Sequence, residues 1–388
     1  MQKLFGEVGS LDKRCYEMYH LSEDILMEHA ANGMASYIKA NFFKGSSILI
    51  VCGSGNNGAD GMACARILHG DYAVTLLFAK PPKSKMAQLQ AQRIEALHIP
   101  TCHKIIPCDV IVDAIVGTGF DGSLDENISS ILDDMNQSNA FKIACDIPSG
   151  MRFRADVTLT MGALKKSLYL DSAKEFVGAI EVIDLGISRS LYEGDTNWFL
   201  LDFEDMKLPF RKEKDSHKGT YGHLAVAMGE KNGASIISAQ AALRFGVGLV
   251  TLVGHEQKEI PATLMYANVL PKNTTALALG MGLGNAFSDK DLDAILDNNL
   301  PLIADADILI SSYILQILER KNLVLTPHPK EFVALLKLTN IADITVDELQ
   351  QNRFHYVERL SEKYPHAILL LKGANVIIAG EGSFFVNP

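Results

Sequence analysis

Three glycines at fixed spacing follow a short apolar run in the segment VCGSGNNGADG, residues 51–61. Gly53, Gly55 and Gly58 satisfy the G-x-G-x-x-G pattern, which presents backbone N–H groups to phosphates where a strand turns into a helix. The preceding run is rich in β-branched residues, and the following residues have helical spacing. The segment therefore predicts a binding loop for a phosphorylated ligand.

The side chains of this loop separate it from the loop of a nicotinamide dehydrogenase. In a dehydrogenase, an acidic residue about 20 positions after the glycines binds the ribose. The corresponding stretch here, VTLLFAKPPKSK, has no Asp or Glu, although its lysines could serve an NADP site. Asn56, Asn57 and Asp60 favour a polar ligand held by side chains as well as backbone. The alternative is that the asparagines only fit the turn and Asp60 caps the helix.

Two further apolar runs end in polar side chains. Asp113 lies within the run that leads into DAIVGTGFDGS, and Asp146 and Ser149 follow the run that ends in CDIPSG. Ligands of open parallel sheets bind at the carboxyl ends of the strands, so we expect the three loops to converge on one crevice. A buried carboxylate needs a partner. Asn57, Asp113 and Ser149 offer only oxygen, which suits a hard cation rather than zinc.

Hydrophobic periodicity predicts the elements that position these loops. Helices are predicted at 22–42, 60–68, 86–97 and 126–136, and strands at 46–52, 73–78, 109–116, 141–145, 156–160 and 179–184. Strands that alternate with helices indicate a parallel sheet with helices on both faces.

The pattern restarts after a mixed stretch with a charge run at 211–216. Strands are predicted at 222–229, 249–253, 275–284, 301–307 and 367–373, with an alanine-rich helix at 234–248. We place a domain boundary near residue 208. The sequence then predicts two α/β domains, residues 1–208 and 209–388.

Composition narrows the class of partner. The formal net charge is −10, and no Lys/Arg-dense stretch offsets it locally, so we expect no nucleic-acid partner. The six cysteines form no C-x-x-C pair, and Cys52, Cys64 and Cys145 fall in apolar runs, which favours buried thiols. No apolar run approaches the length of a membrane span. We expect a soluble cytoplasmic protein without membrane contact.

The N-terminal motifs ILMEHA, GSGNNGADG, DAIVGTGF and CDIPSG resemble the NAD(P)H-hydrate epimerase domain from about Glu23 to Ser188. This resemblance implies a Rossmann-like three-layer α/β/α sandwich that inverts C6 of hydrated NADH or NADPH. It also implies a potassium ion held by Asn57, Asp113 and Ser149. The implied substrate-binding residues are Asn56, Asn57, Gly58, Ala59, Asp60, Gly117, Thr118, Gly119, Phe120, Asp121, Gly122, Ser123 and Asp146.

The role of Asp146 and the backbone conformation at Ala59 are open in these motifs. We hypothesise that Asp146 is the catalytic proton donor and acceptor, with a pKa raised by burial, and the alternative is a binding role alone. The family usually has a second glycine where this sequence has Ala59. If that position requires positive φ, Ala59 introduces strain.

The C-terminal motifs HKGTYGHLAVAMG, ALRFGVGLVTL, LALGMGLG, LTPHPKEF and LLLKGANVIIAG resemble the ADP- or ATP-dependent NAD(P)H-hydrate dehydratase, which looks like the ribokinase fold. The implied contacts to the hydrate are Val247, Gly282 or Gly284, and His328. Those to the nucleotide, bound with magnesium, are Lys372, Gly373, Ala374, Asn375 and Val376. Taken alone, His328 could be a turn residue and Lys372 a solvated strand end.

The resemblance also sets an expectation about activity. In the family, a strand like FFVNP leads into a glycine-rich G-x-G-D segment that holds the transferred phosphoryl group, and the sequence here ends at Pro388. We expect impaired dehydratase activity, which ATP-dependent loss of the S hydrate would contradict, and a homo-oligomer. The alternatives are an NAD(P)-dependent oxidoreductase fused to a ribokinase-like small-molecule kinase, or to a non-catalytic nucleotide-binding domain.

Overall fold

The chain forms two compact units in a computed structural model that describes residues 1–119, 124–255 and 259–388. One unit is Gln2–Thr196, and the other is Asn197–Pro388 together with Met1. The four residues Phe120, Asp121, Gly122 and Ser123, predicted to bind substrate, lie outside the described residues. The second unit begins before the predicted boundary at 208, because strand Trp198–Leu200 pairs with strand Ser383–Asn387.

The N-terminal unit alternates strands and helices along most of its length. Its elements are β1 (Gln2–Phe5), α1 (Gly9–Met18), α2 (Glu23–Asn41), β2 (Ser47–Cys52), α3 (Asn56–Leu68), β3 (Ala73–Phe78), α4 (Lys85–Ala96), β4 (Thr101–Cys102), β5 (Val110–Ala114), α5 (Glu126–Gln137), β6 (Phe141–Cys145), β7 (Val157–Met161), β8 (Leu164–Lys165), β9 (Ala179–Ile183) and α6 (Arg189–Tyr192).

Seven of these strands form one sheet in the order β4-β3-β2-β5-β6-β7-β9. Every neighbouring pair in it is parallel. Alternate residues of a strand point to opposite faces. Ile48 and Ile50 pack into a core with α2, α3 and α4. Leu49 and Val51 pack into a second core with α5. The predicted α/β architecture, a parallel sheet between helical layers, is confirmed for this unit.

The glycine loop brings two segments of backbone into close approach. A Cβ atom at Gly53 would lie 1.8 Å from the carbonyl oxygen of Ile115, and one at Gly58 would lie 2.2 Å from that of Gly53. Neither position has room for a side chain. Both positions therefore require glycine. Helix α3 begins at Asn56, directly after the loop and before the predicted start at Asp60.

Ala59 lies inside the first turns of α3 and is fully buried. Its φ angle is not positive. The condition for strain at Ala59 is therefore not met, and a helical backbone accepts alanine better than glycine.

This geometry predicts the effect of restoring the usual glycine at this position. Ala59→Gly is expected to lower the free energy of unfolding by about 1–2 kcal/mol, through lost helix propensity and one lost buried methyl group. Urea denaturation followed by circular dichroism would measure the change. Ala40→Gly makes the same change at an exposed position of α2, so it measures the loss of helix propensity without the loss of a buried methyl group. A more stable Ala59→Gly protein would contradict the prediction.

The second unit is also α/β. Its elements are β10 (Trp198–Leu200), β11 (His223–Ala227), α7 (Asn232–Phe245), β12 (Leu249–Val253), β13 (Met265–Ala267), β14 (Ala276–Leu279), α8 (Asp289–Leu296), β15 (Leu302–Ala304), α9 (Ile314–Ile317), β16 (Leu323–Leu325), α10 (Pro329–Leu338), α11 (Val346–Gln351), α12 (Arg353–Lys363), β17 (Ala367–Leu371), β18 (Val376–Gly380) and β19 (Ser383–Asn387).

Ten of the strands form its sheet, in the order β13-β12-β11-β14-β15-β16-β17-β18-β19-β10. The pairs β17–β18 and β18–β19 are antiparallel. The pairs from β13 to β17 are parallel, so the carboxyl ends of these strands share one edge. The predicted α/β class is confirmed for this unit as well.

Composition led to two predictions, one about buried cysteines and one about membrane-spanning segments. Cys52, Cys64 and Cys145 are buried free thiols, as predicted. Across the described ranges, no helix combines the length and the apolar character that crossing a bilayer requires.

Candidate functional site

A cavity of about 590 Å³ opens at the carboxyl end of the N-terminal sheet. The first turns of α3, the loop after β5 and the residue after β6 all contribute to its wall. The predicted binding residues that line it are Asn56, Asn57, Asp60, Gly117, Thr118, Gly119 and Asp146. Gly58 and Ala59 lie in the same helical turn but are buried beneath it. The three loops thus meet at one place, as the parallel topology predicts.

Asp113 and Ser149 tie two of these loops together. Ser149 donates its hydroxyl to Asp113 Oδ1 at 2.6 Å and its backbone N–H to Oδ2 at 2.8 Å. Both side chains are fully buried. Burial raises the pKa of the Asp113 carboxyl to about 6, although hydrogen bonds from Ser149 and Ile115 oppose the shift. A buried carboxylate in this position would gain from a nearby cation.

Asn57 approaches the same loop from the helix side. A Cβ atom at Gly117 would lie 3.4 Å from Asn57 Oδ1, and Gly117 follows the residue whose N–H binds Ser149. The amide nitrogen of Asn57 is buried and has no hydrogen-bond partner among the described residues. A 180° rotation of the amide exchanges its nitrogen and oxygen, so an acceptor fits this position equally well. The donor chemistry of Asn57, Asp113 and Ser149 therefore fits a hard cation.

Asp146 forms a buried ion pair that the sequence did not reveal. Lys165 Nζ lies 2.7 Å from Asp146 Oδ1, and both side chains are almost inaccessible. Thr118 and Met161 also donate backbone N–H groups to this carboxylate. Burial alone would raise the pKa of Asp146, but the charge and hydrogen bond of Lys165 outweigh it, so the pKa falls below its ordinary value. The expectation of a raised pKa is wrong, because Lys165 stabilises the ionised form of the Asp146 carboxyl.

Asp60 has the opposite electrostatic environment. It lines the cavity, and no hydrogen bond between described residues reaches its carboxyl group. Burial raises the pKa of Asp60 well above its ordinary value, and the nearby charges of Asp146, Asp12 and Glu23 raise it further. The cavity therefore holds two carboxyl groups whose pKa values are displaced in opposite directions, which is the pattern of an acid–base pair.

A further aspartate enters the cavity from the N-terminal helix. Tyr192 donates its hydroxyl to Asp12 Oδ1 at 2.8 Å, and both residues line the wall. The tyrosine ring lies against Gly162, where a Cβ atom would come within 2.5 Å of it. Gly162 has φ 75, which favours glycine. Burial raises the pKa of Asp12, against the hydrogen bond from Tyr192.

In the second unit, three loops meet at the carboxyl edge of the parallel strands. Gly282 and Gly284 both have positive φ in the loop after β14. A Cβ atom at Gly282 would lie 2.5 Å from the carbonyl oxygen of Lys231. Gly284 donates its N–H to Asp307 Oδ2 at 2.9 Å. These glycines therefore hold the loops after β11, β14 and β15 together.

The segment KGANV begins at the same edge. Lys372 Nζ lies 2.8 Å from Asp305 Oδ1, and its N–H donates to Pro327 O, next to His328. Lys372 is thus in an ion pair rather than a solvated strand end. His328 is the N-cap of α10, where its Nδ1 accepts N–H groups from Lys330 and Glu331.

Two further residues predicted to contact ligands, Asn375 and Val247, lie in different parts of this unit. Asn375 is nearly fully buried in the turn between β17 and β18. Val247 precedes β12 and therefore lies at the amino edge of the sheet, opposite to the glycine loops. Strand direction within the chain does not bring Val247 beside Gly282 and His328, and its contact with the hydrate stays a prediction.

The comparisons with known proteins match both units. A family model described as YjeF-related protein N-terminus matches residues 23–167, and one described as NAD(P)H-hydrate dehydratase matches residues 224–388. The bifunctional NAD(P)H-hydrate repair enzyme of Helicobacter pylori is 40% identical over 407 residues, which span 100% of this chain and 86% of the relative. Those of Coxiella burnetii and Archaeoglobus fulgidus are 31% and 30% identical, over 95% and 83% of this chain and 81% and 74% of theirs.

The chain belongs to this family of bifunctional NAD(P)H-hydrate repair enzymes. The resemblance of the two sets of motifs to an epimerase and a dehydratase domain is confirmed. Lys165 lies within the first match, whereas Asp12 and Tyr192 lie outside it. The sequence offered one signal for Lys165, a lysine pair after an apolar strand, and none for Asp12 or Tyr192.

Proposed function

We propose that the N-terminal unit interconverts the R and S hydrates of NADH or NADPH at C6. The observation that carries this proposal is the acid–base pair Asp60 and Asp146 in one cavity. Inverting C6 requires one group that protonates the leaving hydroxyl on one face of the ring. It also requires a second group that takes a proton from the water that adds to the opposite face. A second cavity of about 920 Å³ shares the loop Val116–Gly119 with the first and offers room for the rest of a dinucleotide.

The proposed reaction removes the C6 hydroxyl as water and adds water back from the opposite face. Asp60 gives its proton to the C6 hydroxyl, and the C–O bond breaks with both electrons moving to oxygen. The lone pair of the adjacent ring nitrogen forms a double bond to C6. Water then adds to C6 from the other face and gives a proton to Asp146, while the new C–O bond returns the electron pair to nitrogen. Exchange with solvent resets both carboxyl groups.

A potassium ion held by Asn57, Asp113 and Ser149 supports this reaction in our proposal. Its positive charge would offset the buried Asp113 carboxylate and fix the loops after β5 and β6, which carry Thr118 and Asp146. The expected result is that epimerisation in potassium buffer exceeds that in tetramethylammonium buffer, and that Asp113→Asn removes the difference. Equal rates in both buffers for the wild-type protein would contradict a cation site.

The second unit is the proposed site of ADP- or ATP-dependent dehydration of the S hydrate, with magnesium. Gly282, Gly284 and His328 would contact the hydrate, and Lys372 to Val376 the nucleotide. The convergence of these segments on one edge of the sheet supports the assignment. We also propose that the protein acts in the cytoplasm as a homo-oligomer.

Separate assays of the two activities test this division. The protein is incubated with mixed R and S hydrates, with and without ATP, and each epimer is followed by chromatography. We expect the epimers to equilibrate without ATP. A protein that leaves the epimer ratio unchanged without ATP lacks the proposed N-terminal activity.

A further inference from the structure

Asp12 lines the cavity but has no part in the reaction proposed above. Its Oδ1 accepts the hydroxyl of Tyr192, and among the hydrogen bonds of the described residues none reaches Oδ2. Tyr192 is 2% exposed, so its ring holds Asp12 from a fixed position. The carboxylate therefore keeps one oxygen available as an acceptor for a bound ligand.

A chain of contacts sets the position of Asp12 relative to Asp146. Met161 donates its N–H to Asp146 Oδ1 at 3.2 Å. The next residue, Gly162, lies against the ring of Tyr192, which in turn holds Asp12. Asp12 and Asp146 thus stand on one wall, separated by a tyrosine ring.

The substrate has a matching arrangement of groups. The hydrated nicotinamide ring carries its reacting hydroxyl at C6 and its carboxamide at C3, on the opposite side of the ring. The carboxamide bears the only N–H groups of this ring. When Asp146 faces C6, Asp12 offers the carboxamide an acceptor within the same cavity lining.

Charge strengthens this match. Asp12, Asp60 and Asp146 all line the cavity, and the described residues of its lining include no lysine or arginine. Lys165, behind the wall, is already paired with Asp146. A ring that carries a carboxylate in place of the carboxamide would bring a negative charge and no N–H donor to this wall.

We propose that Asp12, positioned by Tyr192, selects hydrates that carry a ring carboxamide over those that carry a ring carboxylate. This selectivity rests on the proposed epimerisation and names the substrate group that the site reads. Asp12 is the specificity residue, and Tyr192 is its positioning residue.

The test compares two substrates, the hydrate of NADH and the hydrate of reduced nicotinic acid adenine dinucleotide. Epimerisation kcat/KM is measured for each at pH 8. We expect the wild-type protein to favour the carboxamide by about 100-fold, since a site built for an N–H donor rejects an analogue that lacks it. Asp12→Asn removes the charge, and the preference should fall below about 10-fold.

Two variants accompany this comparison. Tyr192→Phe keeps the charge of Asp12 but removes its anchor, so kcat/KM for the carboxamide substrate should fall while the carboxylate substrate stays rejected. Asp71→Asn makes the same chemical change at an exposed residue paired with Lys44 and should leave both values unchanged.

The outcomes separate the two proposals. Equal use of both substrates by the wild-type protein overturns the selectivity, and this result needs no variant to fold. An Asp12→Asn protein that epimerises with the wild-type preference also overturns it. A wild-type protein inactive on both substrates overturns the proposed epimerisation itself, and the selectivity with it.

Discussion

Asp146→Asn is expected to lower the rate of R-to-S epimerisation by about 100- to 10,000-fold, the usual contribution of a positioned acid or base. The change keeps the shape of the side chain but removes the group that accepts a proton from water. Asp146 has φ 71, and asparagine tolerates this left-handed backbone conformation as well as aspartate does. The backbone therefore tolerates the change, but the buried Lys165 loses its anion, so thermal unfolding of the variant must separate lost stability from lost chemistry.

Chromatographic assay of the separated R hydrate measures this prediction. Asp71→Asn provides the matched control, because Asp71 pairs with Lys44 at the surface and lies outside the lining of both cavities. Circular dichroism confirms that both variants fold. Unimpaired conversion by Asp146→Asn would restrict Asp146 to a binding role or to none.

Lys165→Met should have the second large effect, on activity and on stability together. It leaves Asp146 buried without its cation, which costs about 3–5 kcal/mol when the charge is retained. Protonation of Asp146 relieves part of this cost, because the pKa of an unpaired buried carboxyl rises. The protonated group can no longer accept a proton from water, so the epimerisation rate should fall and recover only as the pH increases.

The pH dependence of stability has a definite sign. In the wild-type protein the pKa of Asp146 is lowered, so its ion pair stabilises the fold above the ordinary pKa of aspartate and loses this effect as the pH falls through the lowered value. Lys165→Met should remove that contribution, as thermal unfolding from pH 7 to pH 3 would reveal. Lys39→Met, which makes the same change at an exposed lysine of α2, is the control. An unchanged pH–rate profile in Lys165→Met would show that Lys165 does not set the ionisation of Asp146.

The sequence predicted the strands and their loops because their signals are local. Strand β3 at Ala73–Phe78 and β6 at Phe141–Cys145 have the predicted bounds, since apolar runs bounded by turn residues define both. Parallel topology then brings Asn57 and Asp146 to one edge without further information. Short strands such as Leu323–Leu325 were missed, because three residues give too little periodicity to distinguish them from a loop.

The ionisation of the site was not predictable in the same way. Whether Asp146 holds or loses its proton depends on Lys165, which reaches it from a different strand. Asp12 comes from a helix that precedes the first recognisable motif, and Tyr192 from the last helix of the unit. These contacts join residues far apart in the chain, so no local pattern encodes them.

The two hydrogen bonds from Ser149 to Asp113 join the loop after β6 to the neighbouring strand β5. They form only after β5 and β6 have paired, so an unfolded or partly folded chain has no assembled pocket. A ligand of this pocket binds the native state alone and raises the melting temperature by mass action. Saturation with ligand should therefore protect the N-terminal unit against proteolysis, and cells rich in damaged cofactor would retain more of this protein.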